Sequence, residues 1–172
     1  MTKLVYLEQL DNYTFNQTFT FIKGSGNTVT VKETSGNEEY FTTLTLNSNG
    51  LLSKVEKSSE GYTYSKTYTY DNIGNITKWS WNEKSGSETW ENSCEITYDN
   101  KNAPFRNCAT PKWFLTYWAD DMIFHNNPTE IIEDDGDKTV FTYVYDSDNY
   151  PSKRTTKYND DEYVETFTYI SK

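Results

Sequence analysis

The chain has 172 residues, enough for one domain with a sizeable core, yet only 34% of them are hydrophobic while 17% are aromatic and 15 are tyrosines. A formal net charge of −10 with a pI near 4.6 argues against nucleic acid and anionic membranes as partners, because both require a basic stripe. No run of about 18 apolar residues is present, so no helix is expected to span a membrane.

A core this poor in Leu, Ile and Val has to be built from rings, each burying roughly 150–250 Å². Tyrosine hydroxyls need partners, which suits half-wet sheet surfaces better than the centre of a helical bundle. Met1 runs almost directly into the strand-like Lys3-Leu4-Val5-Tyr6-Leu7. With no signal peptide in view, the chain reads as cytosolic or as a mature domain without its leader.

Turn-forming clusters then punctuate the sequence: Lys23-Gly24-Ser25-Gly26-Asn27, Asn47-Ser48-Asn49-Gly50, Asp71-Asn72-Ile73-Gly74-Asn75, Asp99-Asn100-Lys101-Asn102 and Asp146-Ser147-Asp148-Asn149. Gly, Asn and Asp tolerate the positive φ of tight hairpins. The first three clusters start 24 residues apart, the next step is 28 and the last is 47. Because the last gap is close to two periods, a sixth tip is expected near residue 123, beside His125-Asn126-Asn127-Pro128.

Between tips, rings and branched aliphatics recur at every second position, as in Thr18-Phe19-Thr20-Phe21, Thr67-Tyr68-Thr69-Tyr70 and Thr142-Tyr143-Val144-Tyr145. The pattern predicts twelve strands, over 3–9, 12–22, 27–34, 39–46, 50–57, 61–70, 75–82, 87–98, 127–134, 137–145, 150–157 and 162–170. The fold class is therefore all-β, an antiparallel up-and-down meander of one domain over residues 1–172. Open twisted sheets much beyond about 10 strands tend to close or split. The expectation is a soluble barrel or strongly rolled sheet, with a two-sheet sandwich as the alternative. The outward faces carry Lys, Glu, Asn and Thr rather than the lipid-facing band of a membrane barrel.

The pattern breaks over residues 105–126, expected as an insert. There Thr110-Pro111 offers an N-cap followed by proline at the first helical position, and Trp113, Phe114, Tyr117 and Trp118 share one helical face. Cys94 and Cys108 are each seven residues from Lys101. A symmetric hairpin would set them opposite one another, within disulfide reach; the other reading is two small buried thiols. A bridge would imply an oxidising compartment.

Tyr68-Thr69-Tyr70-Asp71-Asn72-Ile73-Gly74-Asn75-Ile76-Thr77 resembles the YD repeat of bacterial wall-associated and Rhs-type proteins. Ile96-Thr97-Tyr98-Asp99 and Tyr143-Val144-Tyr145-Asp146 retain the Tyr-Asp step and lose the Gly. The chain also resembles short secreted lipoproteins of the Bacteroidota with degenerate YD-like hairpins. The residues that carry this likeness are Tyr98-Asp99-Asn100-Lys101-Asn102-Ala103-Pro104-Phe105 and Asn126-Asn127-Pro128-Thr129, with Ala103 in place of an Asn. The resemblance covers roughly residues 40–172. It implies a porin-like but soluble β fold, a cell-envelope location at the outer-membrane surface or in the periplasm, and a lipid anchor in the full-length form. It assigns no activity, and the chain has too few repeats to enclose a toxin as large Rhs shells do.

Catalytic chemistry has little to stand on. His125, the one histidine, sits in an Asn-rich turn with no nucleophile beside it, which leaves no triad and no histidine-rich zinc site. Asp120-Asp121 and the group Glu133-Asp134-Asp135 with Asp137 could in principle supply a glycosidase pair, and the latter, around Gly136, a weak calcium site lacking the EF-hand spacing. Solvent-facing charge is the plainer account of both. Trp113, Phe114, Tyr117 and Trp118, with Trp79, Trp81 and Trp90, either fill the core or present rings to a ligand. The function expected is a non-enzymatic envelope module that binds a protein or glycan, without cofactor, metal or nucleic acid. A carboxylate-based glycosidase and an immunity-type toxin inhibitor are the alternatives.

Overall fold

The computed structural model describes residues 3–10, 13–119 and 125–169, with side chains over 17–118 and 125–169. Its strands are β1 (Lys3–Leu10), β2 (Tyr13–Lys23), β3 (Thr28–Ser35), β4 (Glu38–Leu46), β5 (Leu52–Ser59) and β6 (Tyr62–Tyr70). They continue as β7 (Ile76–Ser85), β8 (Glu88–Tyr98), β9 (Pro128–Glu133), β10 (Lys138–Tyr145), β11 (Pro151–Tyr158) and β12 (Asp161–Thr166), and one helix, α1 (Lys112–Ala119), lies between β8 and β9. The strands form a single sheet in sequence order, β1 to β12. Every strand expected from the alternation is present, with ends displaced by at most four residues, as hydrogen-bond boundaries commonly are.

Closure into a barrel is not observed. The ladder runs from β1 to β12, and no pairing among the described residues joins those two edges. An open edge needs other protection. At β12 it takes the form of charge, since Asp161, Glu162 and Glu165 lie on a strand whose residues are all exposed.

Residues gather into two compact units, Met1–Thr67 with Asn82–Trp90, and Tyr68–Trp81 with Glu91–Lys172. In the first unit one sheet face is inward. Phe21 opposes Val31, Val31 opposes Thr42, and Leu44 opposes Val55, and all of these are buried. The opposite face pairs Thr30 with Thr43 and Thr28 with Thr45, so the period-two pattern has done the sorting. Each fully buried leucine, Leu44 and Leu52, contributes about 1.5–3 kcal/mol. In the second unit the buried set includes Tyr68, Ile76, Cys94, Ile96, Ala103, Phe114 and Phe141.

Three of the tips owe their shape to one side chain each. Asp71 Oδ1 accepts from the backbone N–H of Ile73, Gly74 and Asn75 at 3.0, 2.8 and 2.9 Å. Asn47 and Asp146 do the same with the residues two and four positions on. The chain therefore closes each turn with an Asx side chain, and the fourth position takes positive φ: 75° at Gly50, 98° at Gly74 and 62° at Asn149. Asn tolerates that region, which explains how the last tip loses its Gly and keeps its geometry.

The sixth tip expected near residue 123 falls on residues 120–124, which lie outside the described residues, but the turn at 125–128 beside it is described. Asp99 N–H donates to Asn127 O and Asn127 N–H donates back to Asp99 Oδ1, so residues 99 and 127 are two halves of one tip that the insert splits. β8 consequently pairs with β9, setting Cys94 opposite Glu133 rather than Cys108. No disulfide joins the two cysteines in this structure, because the symmetric hairpin that would have opposed them is never formed.

Candidate functional site

The split tip organises the second unit. Asn75, 1% exposed, accepts from His125 N–H and Asn126 N–H through Oδ1 at 2.9 and 3.0 Å, and its Nδ2 donates to Asp71 Oδ2 and Asn126 Oδ1. Asn126 Nδ2 donates to Lys101 O, and Asn127 Nδ2 to Asn102 O and the Asp99 carboxylate. Tyr145 donates its phenolic proton to Asp99 Oδ2. On the other side, Asn102 N–H donates to Asn149 O and Lys101 Nζ to Asn149 Oδ1. The first two tips are thus strapped together by buried or half-buried amides and the third is tied on at the surface through Asn149, and networks of this kind hold a surface in one arrangement.

Beside these straps lies a cleft of about 230 Å³. One wall is the start of the insert, Ala103, Pro104 and Phe105; the floor is Asn127, Pro128 and Tyr143; the far wall is Arg154, Glu165 and Phe167. The register places Tyr143 opposite Arg154 and Arg154 opposite Glu165, so three neighbouring strands bring one residue each. Arg154 is 7% exposed, and its Nε and Nη2 donate to the same oxygen, Glu165 Oε2, at 2.6 and 2.5 Å. The guanidinium also lies over the Phe141 ring, 5.6 Å from its centroid. Tyr143 donates to Pro128 O at 2.8 Å, and burial holds its phenol well above the ordinary value, eased by Arg154.

Phe105 is about half exposed at the rim. It is not on a free loop, because Lys112 Nζ, on the first turn of α1, donates to Phe105 O and Arg106 O at 2.6 and 3.0 Å. Burial depresses Lys112 from its usual value. The Pro111 carbonyl accepts the first helical bond, from Leu115, one residue later than the expected cap. Thr110 instead hydrogen-bonds the Cys108 thiol through backbone and side chain, which with nearby Lys112 lowers its pKa.

The aromatic residues singled out by sequence divide. Phe114 is buried and belongs to the core, stacked on Trp118 with centroids 6.0 Å apart and met edge-on by Trp113. Tyr117 is half-buried, whereas Trp118 is exposed. Thr116 is buried and hydrogen-bonded to Tyr70, which seats α1 on β6. Trp79 and Trp81 are half-buried on β7, two residues apart and so on one side of the strand, and Trp90 is exposed.

The acidic group at 133–137 forms a tight turn whose carboxylates are engaged: Asn92 donates to Glu133, Tyr158 to Asp137, and Asp137 N–H to Asp135. Among the described residues no cluster of three or more His, Cys, Asp or Glu is arranged to hold a metal ion. Asp120 and Asp121 lie outside the described residues.

The first unit has two larger but more open hollows, about 460 Å³ beside Tyr40 and Tyr62 and about 440 Å³ beside Phe41 and Tyr64. Both lie over Lys57 and Ser58 of β5. Neither contains a buried charge.

Sequence reasoning missed Phe105, Tyr143, Arg154, Glu165 and Phe167. Counting could not find the pair, because a symmetric tip at 146–150 sets Lys153 opposite Tyr143, and it is the register shift between Val144 and Tyr145 that brings Arg154 there.

No helix among the described residues is long and apolar enough to cross a membrane. No family model and no curated protein matches the chain, so the likeness to YD-type hairpins rests on the motif residues themselves. Among solved structures, the chain is similar to a porin-like protein from Bacteroides uniformis, with 15% identity, a TM-score of 0.29, and coverage of 95% of this chain and 92% of that one.

Proposed function

We propose that this chain is a non-enzymatic interaction module of the cell envelope that takes a protein or glycan partner at the cleft between the insert and β10–β12. The observation that supports it most is the pairing of a pre-formed apolar cleft with a buried arginine on a cross-strapped, rigid base. Specific sites combine these features: mostly apolar walls and a few fixed polar groups. Binding rather than catalysis is favoured by the state of the ionisable groups. The guanidinium and carboxylate are paired with each other, and burial keeps the proton on Tyr143 far above neutral pH. Trp118 and Trp113 on α1 extend the aromatic surface next to the strapped rim. The envelope location proposed here rests on the resemblance of the tip residues to secreted lipoproteins.

The test is selection of ligands from a peptide library and a glycan array by the wild-type chain, followed by Phe105→Ser and by Trp113→Ala/Trp118→Ala. Selected ligands should bind at least ten-fold more weakly to Phe105→Ser at unchanged thermal stability. Ligands that bind Phe105→Ser as well as wild type, and are lost only with the two tryptophans, would move the site to α1.

A further inference from the structure

The edge strand β12 has the backbone of a docking strand. Among the described residues it pairs only with β11, and that register runs from Asp161 to Thr166 without a shift. Tyr158 and Asp161 flank the turn at 159–160, where Asn159 takes φ +51°. In a two-residue hairpin the flanking pair is hydrogen-bonded, and bonded and non-bonded pairs alternate beyond it. Phe167 N–H, donating to Ser152 O at 3.0 Å, keeps the same phase at the other end. Asp161, Tyr163 and Glu165 therefore direct their backbone groups to β11, whereas the N–H and C=O of Glu162, Val164 and Thr166 point away from the sheet. The strand has no proline to interrupt that row and its ladder no bulge to turn it aside, and every residue in it is exposed.

Its side chains indicate the occupant. The centre of the strand is Tyr163 and Val164, 59% and 53% exposed, both of types that favour strand pairing. Around them stand Asp161, Glu162 and Glu165, with Asp160 in the turn and no cation on the strand itself. Glu162 and Glu165 are paired with Lys157 and Arg154 of β11. A strand added outside β12 would lie about 4.8 Å from the carboxylate-bearing strand and about 9.6 Å from β11, and the latter distance is close to the screening length of about 8–10 Å. Such a strand meets the carboxylates more strongly than the cations. A second copy of β12 would instead set like charges in neighbouring strands, on two chains of net charge −10 each, which disfavours self-pairing.

We propose that β12 accepts an extended, lysine- or arginine-bearing segment of a partner polypeptide as an added strand. Main-chain bonds to Glu162, Val164 and Thr166 hold it, its basic side chains meet the carboxylates, and its branched or aromatic ones lie beside Tyr163 and Val164. In strand addition the main chain supplies affinity and the alternating side chains choose the partner. This surface lies beyond the cleft, whose far wall ends at Glu165 and Phe167, and it does not require the cleft to be filled.

The experiment is amide chemical-shift titration of the intact labelled chain with acetyl-Lys-Val-Lys-Val-Lys-Val-amide. Two further peptides are compared: one with Glu in place of each Lys, and one with N-methyl groups on the two central residues, which keeps the charge and strips a donor from both edges. The Lys peptide should bind saturably, with shifts at Glu162, Val164 and Thr166, and each of the others at least ten-fold more weakly. Val164→Pro removes one outward N–H without touching a bond to β11, a substitution that edge strands tolerate. It should weaken the Lys peptide ten-fold or more while the melting temperature stays within a few degrees of wild type. Asp161→Asn/Glu162→Gln, which leaves the backbone intact, should weaken it three-fold or more at low ionic strength. Equal binding of the N-methylated peptide would overturn strand addition, and equal binding of the Glu peptide would overturn the basic occupant. A wild-type dimer in sedimentation that Val164→Pro converts to monomer would assign the edge to a second copy and overturn the proposal. Loss of the Lys peptide in Phe105→Ser but not in Val164→Pro would overturn it in favour of the cleft. No binding of the Lys peptide at millimolar concentration would overturn it as well, and the library selection then decides the cleft separately.

Discussion

Replacing Asn75 by alanine removes four hydrogen bonds at once and leaves a hole in a place that is 1% exposed. Asn126 N–H, in a buried residue, and His125 N–H lose their acceptor, Asp71 Oδ2 loses a donor and Asn126 Oδ1 another. Each net hydrogen bond is worth about 1 kcal/mol, and a buried donor left unmade costs about 1–3 kcal/mol. Two of the four groups are half-buried and regain water, so the sum should fall near 3–4 kcal/mol rather than at the upper limit. For a chain of this size, 1 kcal/mol shifts the melting point by about 2–4 °C, which predicts a loss on the order of 10 °C. Four of the five tryptophans, Trp79, Trp81, Trp113 and Trp118, lie in the same compact unit as Asn75, and tryptophan fluorescence in a urea titration is the appropriate readout. Asn72→Ala, at an exposed position of the same tip, is the control and should stay within about 0.5 kcal/mol. A loss below 1 kcal/mol for Asn75→Ala, or equal losses for both variants, would refute the view that this side chain fastens the insert to the tip.

Gly50 has φ +75° with open space where a Cβ would stand, so Gly50→Ala should cost about 1–2 kcal/mol from backbone strain alone; an unchanged urea midpoint would contradict it. Cys108 should alkylate in the native state, with a rate profile whose midpoint lies below the ordinary thiol value, because Thr110 hydrogen bonds and Lys112 favour the thiolate. Cys94, 1% exposed, should react only on unfolding, and equal native rates by mass spectrometry would refute this. Burial, then Arg106 and Lys112, depress His125 below its ordinary value. The unfolded chain therefore takes up the proton first, and this contribution to stability is present above about pH 6.5 and lost as pH falls through the folded-state value. Urea midpoints measured from pH 8 to pH 5 should show a decline that His125→Gln reduces, and an identical decline in the variant would contradict the assignment.

Strand positions were legible because rings and threonines alternate with period two and because most tips carry an Asx residue followed by Gly or Asn. The tip at 99 was legible as a turn but not as half of one. Asp99 finds its partner in Asn127, and nothing local distinguishes a hairpin tip from a tip opened by an insert. The same long-range step decided the cysteines, since the partner of Cys94 depends on where β9 begins. Openness of the sheet was beyond reach for a related reason: closure is a property of β1 and β12 together, and neither strand encodes it alone. Of the aromatic group on α1, the core role of Phe114 and the exposure of Trp118 follow from how Thr116 seats the helix on Tyr70. The cleft stayed hidden because Arg154 and Glu165 are ordinary strand residues, and only the register of three strands pairs them and buries the arginine.

The most direct test of the cleft as the binding site is amide chemical-shift mapping of the isotopically labelled chain during titration with a peptide selected from the library. Saturable shifts should cluster at Ala103, Phe105, Asn127, Tyr143, Arg154, Glu165 and Phe167. Shifts confined to α1 or to the first unit, or none at millimolar peptide, would contradict the account.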